Sequence, residues 1–316
     1  MQIGIIGAGQ VGAATAFALM MRGVARKITL IDTNNERALA EATDIAHAAP
    51  FAYANKVKVG DYKDLESAGI IIITAGANQK PGETRIDLLE RNIKIFSDII
   101  PKITAAASNA ILIVATNPVD IMTYVTLKLS GFPKDHVLGS GTVLDTARFR
   151  TDLGYHLGIS PKSLHANVLG EHGDSEVLCW SNGDGGTIPL MKLAEEMNKP
   201  FTDEIKQRID DDVRNAAYKI IAGKGATYFG IAGALCRICQ AISTNEYAIL
   251  TVSSLHKRIA DIENVCLSMP TIIGKRGIHN VLYPRLDEEE SFLLGESIQK
   301  MKAFSLTADQ LLGEKN

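Results

Sequence analysis

A histidine set between glycines is the feature of this sequence that most directly suggests chemistry. The stretch Gly170-Glu171-His172-Gly173-Asp174 follows the apolar pair Val168-Leu169, a pattern that predicts a strand running into a tight, exposed turn. Glycines on both sides permit unusual backbone angles and the close approach of another molecule. Histidine has an unperturbed pKa near neutral pH, so His172 could give or take a proton there. Taken alone, these residues fit a surface turn equally well.

A carboxylate and a guanidinium lie one helical turn apart upstream of this histidine. The pattern from Thr142 to Leu157 predicts a helix, on which Asp145 and Arg148 are three residues apart. Residues at that spacing share a helix face, so both groups point the same way. They could form a charged binding pair, but an intrahelical ion pair worth about a few tenths of a kcal/mol is the simpler interpretation of the spacing alone.

A glycine-rich turn near the N-terminus predicts a dinucleotide site. The fingerprint Gly7-Ala8-Gly9-Gln10-Val11-Gly12 lies between a predicted strand, Ile3–Ile6, and a predicted helix of small residues, Ala13–Met21. Glycines let the backbone approach a pyrophosphate, and the helix N-terminus offers free N–H groups and a positive dipole end. A glycine-tightened turn without a ligand is the alternative interpretation.

Asp32 indicates which dinucleotide would fit. It ends a second predicted strand, Lys27–Ile31, twenty residues after Gly12. A carboxylate at this position can accept hydrogen bonds from both ribose hydroxyls and would repel a 2′-phosphate. The expected cofactor is therefore NAD rather than NADP.

Strands alternate with helices as far as about residue 140, which predicts a doubly wound parallel sheet of the Rossmann type in an α/β fold. Beyond it the pattern loosens and predicts a mixed α+β substrate domain. The expected division is an NAD-binding domain at 1–141 and a substrate domain at 142–316. Helices are expected near Asp203–Ala222, Tyr228–Ile242 and Ser291–Ala303, and strands at Ala248–Ser253 and Val265–Ile273. Thr307 and Gln310 have capping-box spacing and predict a separate last short helix.

The composition excludes several classes of protein. The chain has 316 residues, of which 46% are hydrophobic and 22% charged, and its net charge of −3 argues against a nucleic-acid footprint. The apolar run Ala13–Met21 is too short to cross a bilayer, so no membrane partner is expected. Four cysteines without a secretory signal indicate reduced thiols and a cytoplasmic location. Cys236 and Cys239 form a C-x-x-C with no second pair nearby, which favours core packing over zinc, and no metal site is expected.

Two polar stretches follow predicted strands, where open α/β sheets bind ligands. Ala77–Arg85 is long, polar and interrupted by Pro and Gly, which is the profile of a lid, and Thr116-Asn117-Pro118 follows the next strand. The fingerprint and five further motifs occur in one order along the chain. Together they resemble the L-lactate/malate dehydrogenase family over nearly the full length, being most similar to its bacterial-type L-lactate dehydrogenases. The motifs are Thr74–Ala77, Asn78–Arg85, Ala115–Asp120, Leu144–Arg148 and Gly170–Asp174.

The resemblance implies a role for each of these groups. His172 would protonate the ketone oxygen as hydride arrives and act as the base in reverse, while Asp145 would hold its tautomer and stabilise the imidazolium. Arg148 would bind the substrate carboxylate through two parallel hydrogen bonds. Arg85, carried on the lid, would stabilise charge on the carbonyl oxygen, and Asn117 would orient nicotinamide and substrate. The resemblance adds further residues to the cofactor site, namely Arg37, Tyr62, Gly76, Ala77 and Ala115.

Substrate choice is expected to depend on Gln79 and Thr227. In the resembled family, malate-type members carry arginine at the Gln79 position, where it pairs with the second carboxylate of oxaloacetate. Neutral Gln79 would leave that carboxylate unpaired in a closing site, at a cost of roughly several kcal/mol. Pyruvate and (S)-lactate are therefore the expected pair. A dehydrogenase of a bulkier 2-hydroxy acid, or a malate dehydrogenase, is the alternative.

Regulation and assembly are expected by resemblance alone. Arg150 and His165 match positions that bind fructose 1,6-bisphosphate between subunits in allosteric bacterial relatives. An ordinary interface ion pair is an equally good interpretation, and a homotetramer is the expected assembly.

Two functions from other classes of protein are alternatives for the whole chain. A catalytically silent NAD-binding protein would tolerate loss of the His-Asp-Arg set, which is present here. An NAD-dependent glycosidase would be expected to carry a metal site and a longer second domain.

Overall fold

A parallel sheet forms the first half of the computed structural model, which describes residues 1–52, 56–77, 82 and 84–313. Its six strands are ordered β3-β2-β1-β4-β5-β6, so the chain winds outward in both directions from β1 and β4. The sequence supplies fully buried aliphatic runs such as Ile70–Ile73, which suit a sheet covered on both faces. The strands are β1 Gln2–Ile6, β2 Lys27–Ile31, β3 Lys56–Val59, β4 Ala68–Ile73, β5 Ile111–Val114 and β6 Val137–Gly139.

The helices between these strands cover both faces of the sheet. They are α1 Gln10–Met21, α2 Asn35–His47, α3 Arg85–Ala106 and α4 Val119–Ser130. The predicted alternation is confirmed, with small shifts of the ends. Helix α1 begins at Gln10 rather than Ala13, because the fingerprint turn closes within Gly7–Gly9 and its last glycine already lies in the helix.

The second half of the chain is mixed and mainly antiparallel. Strands β10 and β11 form a long hairpin, and β7 pairs with β8. The elements are α5 Val143–Leu157, β7 Leu164–Gly170, β8 Glu176–Gly185, β9 Ile188–Pro189, α6 Leu190–Glu196, α7 Asp203–Lys224, α8 Phe229–Ser243, β10 Ala248–Ile259, β11 Ile262–Gly274, β12 Gly277–Val281 and α9 Glu288–Leu311. A short bridge between Ser253 of β10 and Gly139 of β6 joins this half to the parallel strands, and another between Ser268 of β11 and Gly170 of β7 joins two strands within it.

Late helices complete the apolar core around the early sheet. Leu235 and Ile238 of α8 belong to the cluster on the α1 face, with Ile3 and Ile5. Met301 of α9 belongs to the cluster on the α3 and α4 face. A third cluster, around Phe149, lies within the second half. The parallel sheet is thus buried partly by residues more than 200 positions away in the sequence.

The predicted last short helix is wrong. Helix α9 runs without a break from Glu288 to Leu311, and the Thr307 hydroxyl donates to the Ala303 carbonyl within it instead of capping a new helix. Thr and Ser in a helix commonly satisfy their hydroxyls in this way, so capping-box spacing alone did not identify a helix start. Among the described residues, no helix combines the length and apolar character needed to span a membrane.

Candidate active site

The fingerprint forms a turn that only glycine fits at its tightest positions. Gly7 has a φ of +102°, which favours glycine. A Cβ added to Gly12 would lie 1.9 Å from the Gly7 carbonyl oxygen. The Thr74 hydroxyl donates to that same oxygen at 2.9 Å and ties the turn to the end of β4. Because β1 and β4 are neighbours, the turn opens at the carboxyl edge of the sheet.

The start of α1 suits an anion. Its N-cap is Gly9, and no side chain caps the N–H groups of the first turn, which also carries no acidic residue. Asp32 lies alongside, with Oδ2 accepting from the Ala8 N–H at 2.6 Å and Oδ1 from the Asn34 N–H at 2.8 Å. These residues fit the pyrophosphate and ribose of a dinucleotide.

A hydrogen-bonded triad of side chains lies where α5 meets the end of β7. His172 Nδ1–H donates to Asp145 Oδ2 at 2.6 Å, and Arg148 Nη1 donates to Asp145 Oδ1 at 2.8 Å. The Asp145 side chain is 2% exposed, while those of Arg148 and His172 are 16% and 25% exposed. The carboxylate is therefore the inner partner of two cationic groups that solvent or a substrate can reach.

The charges of this triad reinforce one another. Burial opposes a charge on His172, but the adjacent Asp145 carboxylate outweighs it and raises the pKa of His172 to about 9. Burial likewise opposes ionisation of Asp145, yet His172 and Arg148 hold the pKa of this carboxyl below its usual range. The imidazole is therefore protonated at neutral pH with Nδ1 committed to Asp145, so Nε2 is the nitrogen left for a substrate.

Two further buried acids adjoin the triad, and sequence reasoning assigned no role to either. Asp120 Oδ2 accepts from the backbone N–H of His172 at 2.8 Å. Glu176 is 3% exposed, and burial followed by the charge of Asp145 raises its pKa to about 8. Asp120 stands in the first turn of α4, where acids are common for capping reasons, so its type and position gave no functional signal.

A metal site is a second possible use of this cluster. One ligand atom from each of Asp145, Glu176 and His172 lies within 4.8 Å of the others. The contacts argue for proton chemistry instead. His172 Nδ1 and Arg148 already occupy the two Asp145 oxygens, and the arginine places a positive charge beside any ion that entered.

The His172 turn is also held from two other elements. On one side Ser297 of α9 accepts from the Glu171 N–H at 2.9 Å, and Lys300 of the same helix donates to Glu171 Oε2 at 2.6 Å. On the other side Arg214 of α7 donates to the Glu176 carbonyl at 2.7 Å while paired with Asp210. The turn is thus fastened by groups up to about 130 residues away, none of which has a local sequence signature.

A buried asparagine joins the two loops that follow β4 and β5. Asn92 of α3 is fully buried, accepts from the Ala77 N–H at 2.7 Å and donates to the Asn117 carbonyl at 2.8 Å. A Cβ on Gly76 would lie 2.3 Å from Thr116 Cγ2, so the two loops touch only because residue 76 is glycine. The Asn117–Pro118 bond is cis. Sequence reasoning missed Asn92, which lies mid-helix among ordinary residues.

The remaining predicted residues are dispersed around these groups. Arg37 lies in the first turn of α2 and pairs with Glu41 at 3.7 Å. Tyr62 is half-buried with Lys102 Nζ 5.8 Å from its ring centroid, and the Ala115 N–H donates to the Ile73 carbonyl. Thr227 lies between α7 and α8. Gln79 and the Arg85 side chain lie outside the described residues.

The predicted effector pair sits on a different side of α5. Arg150 Nε donates to the Ala166 carbonyl at 2.8 Å and Nη2 to Asn167 Oδ1 at 3.3 Å, while His165 is exposed on β7. Burial lowers the pKa of Arg150, and the Asp184 carboxylate acts in the opposite direction. Cys236 and Cys239 are buried in the apolar cluster on the α1 face, as core packing predicts.

Comparison with known proteins agrees with this geometry. Residues 1–139 match the lactate/malate dehydrogenase NAD binding domain, and residues 142–308 match the lactate/malate dehydrogenase alpha/beta C-terminal domain. An L-lactate dehydrogenase of Allorhizobium ampelinum is 52% identical over 97% of this chain and 99% of its own. That of Thermus aquaticus is 50% identical over 96% and 97%.

Solved structures show the same relationship. A lactate dehydrogenase from a Medee basin deep-sea metagenome library superposes with a TM-score of 0.94 at 39% identity, covering 98% of both chains. The minor L-lactate dehydrogenase from Enterococcus mundtii gives a TM-score of 0.93 at 38% identity, covering 97% of this chain and 98% of its own. Both halves of the chain, its sheet order and its histidine site therefore lead to one conclusion: the chain belongs to the lactate/malate dehydrogenase family of NAD-dependent oxidoreductases.

Proposed function

We propose that this chain is an L-lactate dehydrogenase, which interconverts pyruvate and (S)-lactate with NAD. The observation that carries the proposal is the His172–Asp145–Arg148 triad, in which one buried carboxylate orients a protonated imidazole and a guanidinium toward solvent. The relatives named L-lactate dehydrogenase at about half identity support the choice of reaction. In this proposal residues 1–141 hold the dinucleotide and residues 142–316 carry most of the substrate site.

The triad can supply the proton and the substrate anchor. The Arg148 guanidinium keeps donors beyond the one given to Asp145, so it can bind the carboxylate of a 2-oxo acid through two hydrogen bonds. His172 Nε2–H is then the proton donor for the ketone oxygen. Asp145 stabilises the imidazolium before transfer and keeps the proton on Nδ1 afterwards, so the neutral ring can act as base in the reverse reaction.

The reduced dinucleotide, when bound, supplies the hydride that converts the ketone carbon to an alcohol carbon. The carbon gains two electrons with that hydride, and the oxygen gains the proton from His172, so neutral imidazole and a 2-hydroxy acid result. Asn117 lies at the loop between the fingerprint side and the triad, a position suited to orienting both reactants. By its residue type and place at the start of α3, Arg85 is assigned to the developing charge on the oxygen.

NAD rather than NADP is proposed from Asp32. Both oxygens of its carboxylate already accept backbone N–H groups, which fixes the carboxylate beside the fingerprint turn. A phosphate on the adjoining ribose would meet this negative charge at close range. Gly7, Gly9, Gln10, Val11 and Gly12 are assigned to the pyrophosphate, and Arg37, Tyr62, Gly76, Ala77 and Ala115 to the rest of the nucleotide.

Pyruvate rather than oxaloacetate is proposed from Gln79, with Thr227 on the same wall. The argument is one of charge: a second substrate carboxylate would find no cation at residue 79. A larger 2-oxo acid is the alternative, since its extra atoms are uncharged. Gln79→Arg should raise the oxaloacetate-to-pyruvate ratio of kcat/KM by roughly two orders of magnitude or more, a change worth about 3 kcal/mol. An unchanged ratio would remove this assignment.

A homotetramer and a fructose 1,6-bisphosphate effector at Arg150 and His165 are carried as further proposals, on resemblance alone. The contacts of Arg150 should weaken effector binding. A phosphate would have to compete with the hydrogen bonds from Arg150 to Ala166 and Asn167, and the nearby Asp184 carboxylate would repel it. Pyruvate saturation with and without the sugar bisphosphate tests the effector, and superimposable curves would remove it.

The reaction is tested by following NADH absorbance at neutral pH with pyruvate, oxaloacetate and a panel of longer 2-oxo acids. Fast oxidation with pyruvate and little with oxaloacetate is expected. The His172→Gln variant is the negative control, because it should bind NADH but turn over at least about 100-fold more slowly. A preference for oxaloacetate or for a longer acid would keep the triad chemistry and overturn the proposed substrate.

A further inference from the structure

A carboxylate behind the catalytic histidine joins two turns of the site. Asp120 is 2% exposed and lies in the first turn of α4, whose N-cap is Pro118 and which follows Asn117. Its Oδ2 accepts the backbone N–H of His172, 52 residues further along the chain, at 2.8 Å. One side chain therefore connects the turn that carries Asn117 to the turn that carries His172.

The surroundings of Asp120 are costly for a carboxylate. Its Oδ1 is buried and forms no hydrogen bond of ordinary geometry to the described residues, although the Ser253 hydroxyl, also without such a bond, is close enough to favour the charged carboxylate. A buried carboxylate with an unsatisfied oxygen destabilises a fold, whereas an amide or a hydroxyl could accept the same N–H at lower cost. The residue type is thus poorly explained by a structural bond alone, and the negative charge itself needs a function.

The charges around Asp120 define what that function can be. The groups facing it are the Ser253 hydroxyl on β10, the His172 imidazole, the Glu171 carboxylate and the Cys266 thiol on β11. The positive end of the α4 dipole also favours its ionised form. Burial is the largest effect and raises the pKa of Asp120 to about 6, against the effects of the Ser253 hydroxyl and the His172 N–H. Asp120 is therefore mostly ionised at neutral pH, and its charge favours the protonated form of His172.

We propose that Asp120 is a positioning residue for the proposed reaction: its ionised carboxylate fixes the His172 turn against the Asn117 turn and favours the proton on the catalytic imidazole. Asp145 contacts the imidazole at Nδ1, whereas Asp120 contacts the backbone N–H of the same residue. The kinetic consequence rests on the proposed function, but the effect on the proton affinity of His172 does not.

The decisive experiment is an NMR titration of the imidazoles in the full chain labelled with [13C]histidine. The His172 signal is assigned by its loss in His172→Gln. Asp120→Asn keeps an oxygen to accept the N–H but removes the charge, and it should lower the pKa of His172 by about half a unit or more. Asp203→Asn, which removes an exposed acid from the first turn of α7, is the matched control and should leave that pKa unchanged.

Kinetics separate the positioning effect from the charge effect. Asp120→Asn should lose about three- to tenfold in kcat, and Asp120→Ala, which removes the acceptor as well, about 100-fold, with the dissociation constant of NADH unchanged in both. Recovery of most activity by the conservative Asn variant would distinguish positioning from a general loss of structure.

A His172 pKa that does not move in Asp120→Asn would overturn the inference, as would equal kcat values for the Asn and Ala variants. If the alanine variant does not fold, the titration of the asparagine variant still decides. Absence of NADH oxidation by the parent chain with any 2-oxo acid would instead refute the proposed function and leave the titration result standing.

Discussion

Arg148 and Arg150 stand two residues apart on α5, yet the structure gives them opposite surroundings. Arg148 donates to a carboxylate, Asp145, which also holds His172. Arg150 donates to a backbone carbonyl and to an amide oxygen on β7. Residues two apart on a helix point to different faces, so Arg148 faces the His172 turn and Arg150 faces β7.

The comparison shows that the group to which each arginine donates, more than the residue type itself, determines what the arginine and a nearby histidine can do. A buried carboxylate aligns Arg148 and raises the proton affinity of its histidine, which prepares both for an anionic, proton-accepting substrate. Neutral oxygens, a backbone carbonyl and an amide, hold Arg150 in place. Four predictions test this contrast between the Arg148 side and the Arg150 side of α5.

The largest effect is expected for the carboxylate of the Arg148 side. Asp145→Asn keeps the size of the side chain but removes the charge that favours protonated His172, so kcat for pyruvate reduction should fall by roughly 100- to 10,000-fold. Steady-state NADH oxidation measures it. Asp184→Asn, which removes the acid near Arg150, is the control and should change kcat less than about threefold. A loss below tenfold for Asp145→Asn would break the contrast.

The next effect concerns the guanidinium. Lysine cannot make two parallel hydrogen bonds to a carboxylate, so Arg148→Lys should raise KM for pyruvate by about 100-fold, equivalent to roughly 2.7 kcal/mol. The dissociation constant of NADH, measured by fluorescence titration, should stay unchanged. Arg150→Lys is the matched substitution on the other face. Similar KM changes in the two variants would show that the faces are not functionally distinct.

A smaller effect is expected from pH on the unmodified chain. In the proposed reaction protonated His172 is the acid for pyruvate reduction, and its pKa is raised to about 9. The value of kcat/KM for pyruvate should therefore be level through neutral pH and fall about tenfold per unit above that value. Lactate oxidation needs the neutral ring, so its kcat/KM should rise with pH up to the same midpoint. Profiles of the same sign for both directions would contradict this assignment.

The smallest effect on activity belongs to the Arg150 side. Arg150→Leu removes two hydrogen bonds to β7 and should lower the free energy of unfolding by about 1 kcal/mol, measured by urea denaturation. Without an effector, kcat and KM should stay within about twofold, since Arg150 does not contact the triad. A larger loss of activity would mean that β7 transmits its packing to His172 and would weaken the contrast.

The amino-acid sequence by itself determined the local features. Continuous β-branched runs such as Ile70–Ile73 have one stable use, a strand buried on both faces, and the fingerprint turn needs glycine where a Cβ would meet the Gly7 oxygen. Asp145 and Arg148 share a face because helix geometry alone places them three residues apart on one side. These predictions depend on neighbours within a few residues, which the sequence displays.

Only the tertiary structure decided the contacts that join distant segments. Asp145 and His172 meet across 27 residues, and Asn92 bridges two loops. Arg214 of α7 and Lys300 of α9 fasten the His172 turn from helices later in the chain. The capping-box spacing of Thr307 and Gln310 predicted a helix start because it is a local pattern. In the structure α9 packs against the sheet and continues past Thr307 without a break. Such contacts leave no periodic pattern, since they depend on how separate elements pack and not on the order of residues within any one of them.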